Sequence, residues 1–300
     1  MKYGALEAGG TKMVMAVFDD NGRMTDRQAR PTGTPEDTMP VLIQYFREAG
    51  VDALGLGFFG PLDLRKDSPD YGSVTATPKL SWRNYPALRV FREALGIPTA
   101  IDTDVNAAAL AEFRLGAGRG GESCLYLTVG TGIGGGLIVN GRPVHGLMHP
   151  EIGHIPLRPL PEDPAGKGFC PYHDGCAEGL AAGPAMEKRW GVPAKELPAD
   201  HIGWRMEAAY LAQVCACAAL SFSPEKIILG GGVTQSPGLL PLIREAFQPL
   251  INGYIPKSFL PDPAAYLVEP GLGVHSGITG AYLLARQAAE DSGDQGRRLS

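Results

Sequence analysis

Long apolar runs are missing from this 300-residue chain: nothing approaches the ~20 consecutive apolar residues that a membrane-spanning helix needs. The opening segment, Met1 to Glu7, lacks the apolar core of a secretory signal and reads directly as a strand, so a cytoplasmic protein is expected. Positive charge is not in excess. A formal net charge of −5 gives no reason to expect nucleic acid or an anionic membrane as a partner. Cysteine is sparse, and its odd count of five argues against a complete disulfide framework. Cys124 falls in an apolar strand and Cys215 and Cys217 in an apolar helix, so all three are expected as core thiols. The phosphate loop Gly-x4-Gly-Lys-Ser/Thr is absent as well.

What the chain has in quantity is glycine (41) and proline (26), set between periodic segments rather than in low-complexity blocks. With 44% apolar and 20% charged residues, there is enough core for one large domain or two ordinary ones. Strands are predicted over 3–8, 13–18 and, more weakly, 23–30, followed by a helix over about 36–49 and a buried strand at 53–59. Residues 61–83 lack periodicity, which marks a functional loop. A helix over 84–95, a strand over 97–101 and a helix over 105–115 lead to Gly116–Gly121, which reads as a hinge or junction.

The second half opens on an apolar run at 124–129, a glycine-dense turn, and a second run at 137–139. It ends at Asn140-Gly141, a type I′ hairpin signal. Residues 145–176 are irregular and hold His145, His149, His154 and His173. Helices are predicted at about 177–190, 203–221, 237–251 and 276–289, strands at 226–229 and 266–268, and a fraying polar tail at 290–300. Each half therefore runs strand, glycine turn, strand, and then alternates helix and strand. That pattern predicts an α/β architecture of mixed sheets in two lobes, with a ligand site in the cleft between them.

Three constellations carry chemistry. Glycine turns at Gly9-Gly10-Thr11-Lys12, Gly130-Thr131-Gly132-Ile133-Gly134 and Gly230-Gly231-Gly232 free the backbone of Cβ atoms. Each alone is an ordinary turn. Together they offer N–H groups and threonine hydroxyls to the phosphates of one nucleotide, with Lys12 as a point charge and the third turn against the purine. Asp104 follows a strand and opens an alanine-rich helix. It reads equally as an N-cap and as a base for a substrate hydroxyl. Finally, Cys170, His173 and Cys176 fall within seven residues, and His154 completes a Cys2His2 set of the kind zinc takes in closed structural sites. The competing interpretation is two free thiols and two surface histidines, which leaves the loop little to order it.

These segments together resemble the ROK family of sugar kinases and repressors, and its bacterial fructokinase branch in particular. Ala5–Lys12 is similar to the family's first phosphate loop, Asp102–Ala109 to its catalytic segment and Thr128–Gly136 to its second phosphate loop. His149–His154, continuing to Cys176-Ala177-Glu178, resembles its sugar-and-zinc signature. The resemblance implies an actin-like, ribonuclease H-like fold. One lobe would be residues 1–117 with a C-terminal helix at about 276–290, and the other 118–275. It implies Mg-ATP and a sugar as partners, a homodimer, and phosphoryl transfer from ATP with Mg2+ to the 6-hydroxyl of fructose. Asp104 would be the base, and Gly60, Thr103, Glu151, His154 and Glu178 would hold the sugar, with Zn2+ on His154. Mannose, glucose and N-acetylmannosamine are alternative acceptors.

Glu7 stands where most of the family has aspartate, Thr103 where its glucokinases have asparagine, and the zinc loop has two cysteines rather than three. These departures look like the fructokinase branch. The family's repressors carry a helix-turn-helix ahead of the first loop, for which residues 1–4 leave no room, so a regulator is not expected.

Overall fold

The computed structural model describes residues 1–298. The chain folds as two compact units. The first comprises Met1–Ala111, Pro143–Pro150 and the chain from His275 onward; the second comprises Glu112–Arg142 and Glu151–Val274.

The first unit is built on a five-stranded sheet of β1 (Tyr3–Ala8), β2 (Lys12–Phe18), β3 (Met24–Pro31), β4 (Ala53–Phe58) and β5 (Thr99–Thr103), in the order β3-β2-β1-β4-β5. The β1–β2 and β2–β3 pairs are antiparallel, and β4 and β5 run parallel to β1. Helix α1 (Pro35–Ala49) is capped by Thr34 and stopped by Gly50 in the left-handed conformation. With α2 (Ala87–Leu95) it covers one face, where Phe46, Phe58, Trp82 and Phe91 form an aromatic core. Helix α3 (Asp104–Leu115) leaves the end of β5, and the last helix, α9 (Ser276–Arg298), covers the other face. A Cβ on Gly55 would collide with the α9 backbone at Ala281 and Ala285, so the missing side chain is what lets strand and helix close up.

The second unit repeats the plan. Strands β6 (Ser123–Val129), β7 (Ile133–Val139), β8 (Arg142–Pro143), β9 (Ile227–Gly230) and β10 (Leu267–Val268) take the order β10-β9-β6-β7-β8. The pair β6–β7 is antiparallel and β9 and β10 are parallel, which matches the first sheet strand for strand. Helices α4 (Ala177–Ala181), α5 (Gly183–Trp190), α6 (Gly203–Phe222), α7 (Leu239–Ile251) and α8 (Pro263–Tyr266) complete it. The predicted mixed α/β pattern is therefore present in both halves.

Several boundaries differ from the sequence expectation. The helix expected over 84–95 begins only at Ala87, because Pro86 and Asn84, at φ 57°, hold the preceding chain out of the helical region. Strand β5 extends to Thr103. The helix expected at 177–190 is broken at extended Ala182, which ends α4 and precedes α5, with Pro184 in the first turn of α5 where proline is tolerated. Gly134, Gly135 and Gly136 lie inside β7, paired with Thr128, Leu127 and Tyr126, so the turn itself is short. Cys217 is exposed rather than core, whereas Cys124 and Cys215 are buried. Helix α9 carries the polar tail from Glu290 through Arg298; residues 299 and 300 lie outside the described residues. No helix among the described residues is long and apolar enough to cross a membrane.

Candidate active site and metal centre

In the first unit, strand register brings the predicted residues together. Ala8 pairs with Phe58 and Phe58 with Thr103, so β1, β4 and β5 finish side by side. Gly9-Gly10, Gly60 and Asp104 therefore emerge along the C-terminal edge of three parallel strands, where α/β folds build their sites. The first glycine turn is tight: the Gly9 N–H donates to the Lys12 carbonyl at 2.9 Å. Thr11 and Lys12 are exposed at its tip. At the start of α3 the capping role does not fall to Asp104. Thr103 is the cap, its Oγ1 accepting from the Asn106 N–H at 3.1 Å. Asp104 is the first helical residue, with Oδ1 accepting the Val105 N–H at 2.9 Å. Glu7, near the end of β1, is mostly buried. Burial pushes its carboxyl pKa up, against the opposing charges of Lys12 and Arg27.

Beside Asp104 lies a cluster that motif reasoning did not assign. Asp102 is buried, and its Oδ1 accepts from the Thr103 N–H at 2.7 Å and from Asn106 Nδ2 at 2.8 Å. His145 Nε2 lies 3.0 Å from Asp102 Oδ2. That hydrogen bond outweighs desolvation and holds the His145 pKa above the ordinary histidine value. His149 is buried against Gly60, and its Nε2 accepts the Leu62 N–H at 3.0 Å; burial lowers its pKa. Pro143–Pro150 is thus fastened to this edge by two histidines. The sequence signal for His145 was the density of histidine in an irregular stretch, whereas His149 also opens the segment that resembles the sugar-and-zinc signature.

In the second unit, Thr128 pairs with Gly230, so the turns after β6 and β9 also emerge side by side. A Cβ on Gly130 would meet nothing within 4 Å, and Thr131 is exposed next to it. The Glu178 carboxylate accepts the Ile133 N–H at 3.0 Å and sits against Gly132. Gly230 and Gly231 are different. A Cβ there would strike the Tyr126 hydroxyl and the Val129 backbone respectively, so both serve close packing on β6, and the glycine facing open space is Gly232. Glu151 is pushed up to about 7, by burial first and by the Glu178 charge second.

The four metal candidates converge. One donor atom from each of His154, Cys170, His173 and Cys176 lies within 4.8 Å of the others. His154 Nδ1 is 3.9 Å from Cys170 Sγ and 3.8 Å from Cys176 Sγ, and His173 Nδ1 is 3.8 Å from Cys170 Sγ. Bonds of ~2.3 Å to sulfur and ~2.0 Å to nitrogen give a tetrahedral S···N edge of about 3.6 Å, so the set fits zinc with little contraction. Nδ1 of His154 faces the thiols, which leaves its Nε2 to a different ligand. A buried ion pair braces this loop. Arg189, on α5, donates to both oxygens of Asp163 at 2.9 and 3.0 Å and to the Leu180 carbonyl at 2.8 Å, and the Tyr210 hydroxyl donates to Asp163 at 2.7 Å.

A family model described as "ROK family" matches residues 3–288. The chain belongs to the ROK family. Among the relatives of this ROK protein is a fructokinase of Pediococcus pentosaceus, 43% identical over 97% of this chain and 100% of that one. A second, the fructokinase of Zymomonas mobilis, is 43% identical over 95% of this chain and 97% of its own. Among solved structures, a ROK hexokinase from Thermus thermophilus superposes with a TM-score of 0.75 at 34% identity, over 97% of this chain and 100% of that one. The two mixed sheets of this ROK chain are accordingly those of the actin-like ATPase fold that its motifs implied.

Proposed function

We propose that the protein is an ATP-dependent fructokinase, transferring the γ-phosphoryl group of ATP to the 6-hydroxyl of D-fructose. The observation that carries this is the near full-length likeness to fructokinases, in a chain that keeps Asp104 at the C-terminal edge of its parallel strands. Asp104 accepts the proton of the 6-hydroxyl while the oxygen–phosphorus bond forms and the bond to the β-phosphate breaks, releasing ADP. Backbone N–H groups of the turns at Gly9-Gly10-Thr11-Lys12 and Gly130-Thr131-Gly132 cradle the phosphates, and ATP enters as its Mg2+ complex, which spreads their charge.

Gly60, Thr103, Glu151, His154 Nε2 and Glu178 hold the remaining sugar hydroxyls. His154 Nδ1, Cys170, His173 and Cys176 would hold zinc, and the imidazole of His154 would then be kept in one orientation. The two thiols supply the soft donors and the two imidazoles the borderline ones that zinc selects. The homodimer implied by the family resemblance and a cytoplasmic location belong to the same proposal.

The likeness to a ROK hexokinase favours a second reading, in which mannose or glucose is also phosphorylated. The test is ADP release from Mg-ATP with fructose, mannose, glucose and N-acetylmannosamine, with and without a zinc chelator. Fructose should give the highest kcat/KM. Asp104→Asn should lose about 10²–10⁴-fold in kcat while still binding sugar. Near-normal turnover in that variant overturns the role of Asp104, and no release with any sugar from folded, zinc-loaded protein overturns the kinase.

A further inference from the structure

Asp102 and His145 lie outside every residue assigned above to sugar or nucleotide, yet Asp102 precedes Asp104 by only two positions. The Asp102 carboxylate is spent on the chain's own donors: the Thr103 N–H, Asn106 Nδ2 and His145 Nε2. A carboxylate in such a cluster only accepts, so the proton of the ring must sit on Nε2. The tautomer is thereby fixed, and Nδ1 is the ring nitrogen left for a ligand. Among the described residues, Nδ1 has no hydrogen-bond partner.

The ring is not sealed in. Its side chain is 39% exposed and borders a cavity of about 190 Å3 shared with Asp63, Arg65, Thr75 and Met148. The other polar side chains of that wall have partners of their own. Asp63 accepts from Arg65 and Ser68, and the Thr75 hydroxyl donates to the Pro61 carbonyl. Arg65 Nε and Nη2 are held on Asp63, so the unspent nitrogens of this wall are the outer guanidinium donors of Arg65, which can only donate, and His145 Nδ1, which can accept.

We propose that His145, oriented by Asp102, binds a hydroxyl of the hexose through Nδ1 and so contributes to which sugar is accepted. Asp102 is then a positioning residue, acting only through the ring. The inference rests on the sugar-kinase reading given above.

Two substitutions separate this role from a merely structural one. Glutamine places an amide N–H where Nε2 lies, so His145→Gln keeps the tie to Asp102 and offers nothing at the position of Nδ1. Asparagine does the reverse. Sugar affinity is measured by calorimetry and KM by ADP release, for fructose, mannose and glucose, on zinc-loaded protein. His145→Gln should keep the Tm and the KM for ATP and weaken the preferred sugar about tenfold, and His145→Asn should recover part of that loss. Wild-type sugar affinity in His145→Gln would overturn the proposal, because the ring would then serve only to fasten its segment. If the wild-type protein prefers mannose or glucose, the fructose reading fails, and a tenfold loss for that sugar in His145→Gln still supports the role of His145.

Discussion

Replacing Arg189 by methionine tests whether the Cys/His loop depends on the buried ion pair beneath it. The Arg189 and Asp163 side chains are 1% and 0% exposed, so neither charge has water to fall back on. The thioether chain would fill the aliphatic volume but leave Asp163 with only the Tyr210 hydroxyl and the Ala165 N–H, and it would strand the Leu180 carbonyl. Removing one member of such a pair costs about 3–5 kcal/mol, because the remaining charge stays buried without its counter-ion. For a chain of this size that is a fall in Tm on the order of 10 °C.

A pH dependence follows. Burial works to raise the Asp163 pKa, but Tyr210, the Ala165 N–H and Arg189 outweigh it and hold it below the ordinary carboxylate value. A depressed folded-state pKa contributes stability that is fully present above the unfolded value of about 3.9 and is lost as pH falls through the folded one. The advantage of wild type over Arg189→Met, read by urea titration, should therefore be full at neutral pH and shrink below about pH 4. Pairing the change with Asp163→Leu should restore part of the loss, limited by the donors of Tyr210 and Ala165. A loss below about 1 kcal/mol for Arg189→Met at pH 7 would refute the reasoning, since it would make the pair equivalent to a surface one.

Cys176→Ser should lower bound zinc well below one per chain by metal analysis and raise the KM for sugar more than that for ATP; full zinc content in this variant would count against the four-residue site. Gly280→Ala should cost at least about 1–3 kcal/mol by thermal melting and also reduce kcat, because a Cβ there collides with the backbone oxygen of Ala107 on the helix that begins at Asp104. His145 faces Asp102 with Lys66 nearby, and its imidazole should titrate above 6.5 by NMR, dropping toward that value in Asp102→Asn. The sign makes its small contribution to stability greatest at low pH and lost as pH rises through the folded pKa.

Much of the site was legible because its residues are set by backbone demands. Gly9, Gly60 and Asp104 follow strand ends, and strands announce themselves through apolar runs; the register Ala8–Phe58–Thr103 then aligns them. The Cys/His spacing was equally direct, and its four donors do converge within 4.8 Å. The partnership of Asp102 with His145 was not legible, because 43 residues separate them and nothing in either neighbourhood points to the other. At Gly230 and Gly231 the sequence did not show the close packing on β6 that a Cβ would break. The exposure of Cys217 on α6 shows the limit of composition, as an apolar helix of 20 residues still turns one side to water.

The order of the chain imposes a schedule on its synthesis. Strands β1, β2 and β4 all lie ahead of Phe59 and can pair early, but the apolar face made by Ala5, Val14, Phe18 and Ala53 is closed by Ile278, Ala281, Tyr282 and Ala285. Those partners leave the ribosome only after the whole second unit. Until then the nascent first unit carries a bare greasy surface, held open through the whole interval in which the second unit is made. A transcript cut short ahead of the codon for Ser276 would therefore yield a chain with nearly all its motifs and an unsealed sheet, suited to capture by chaperones or to aggregation rather than to catalysis.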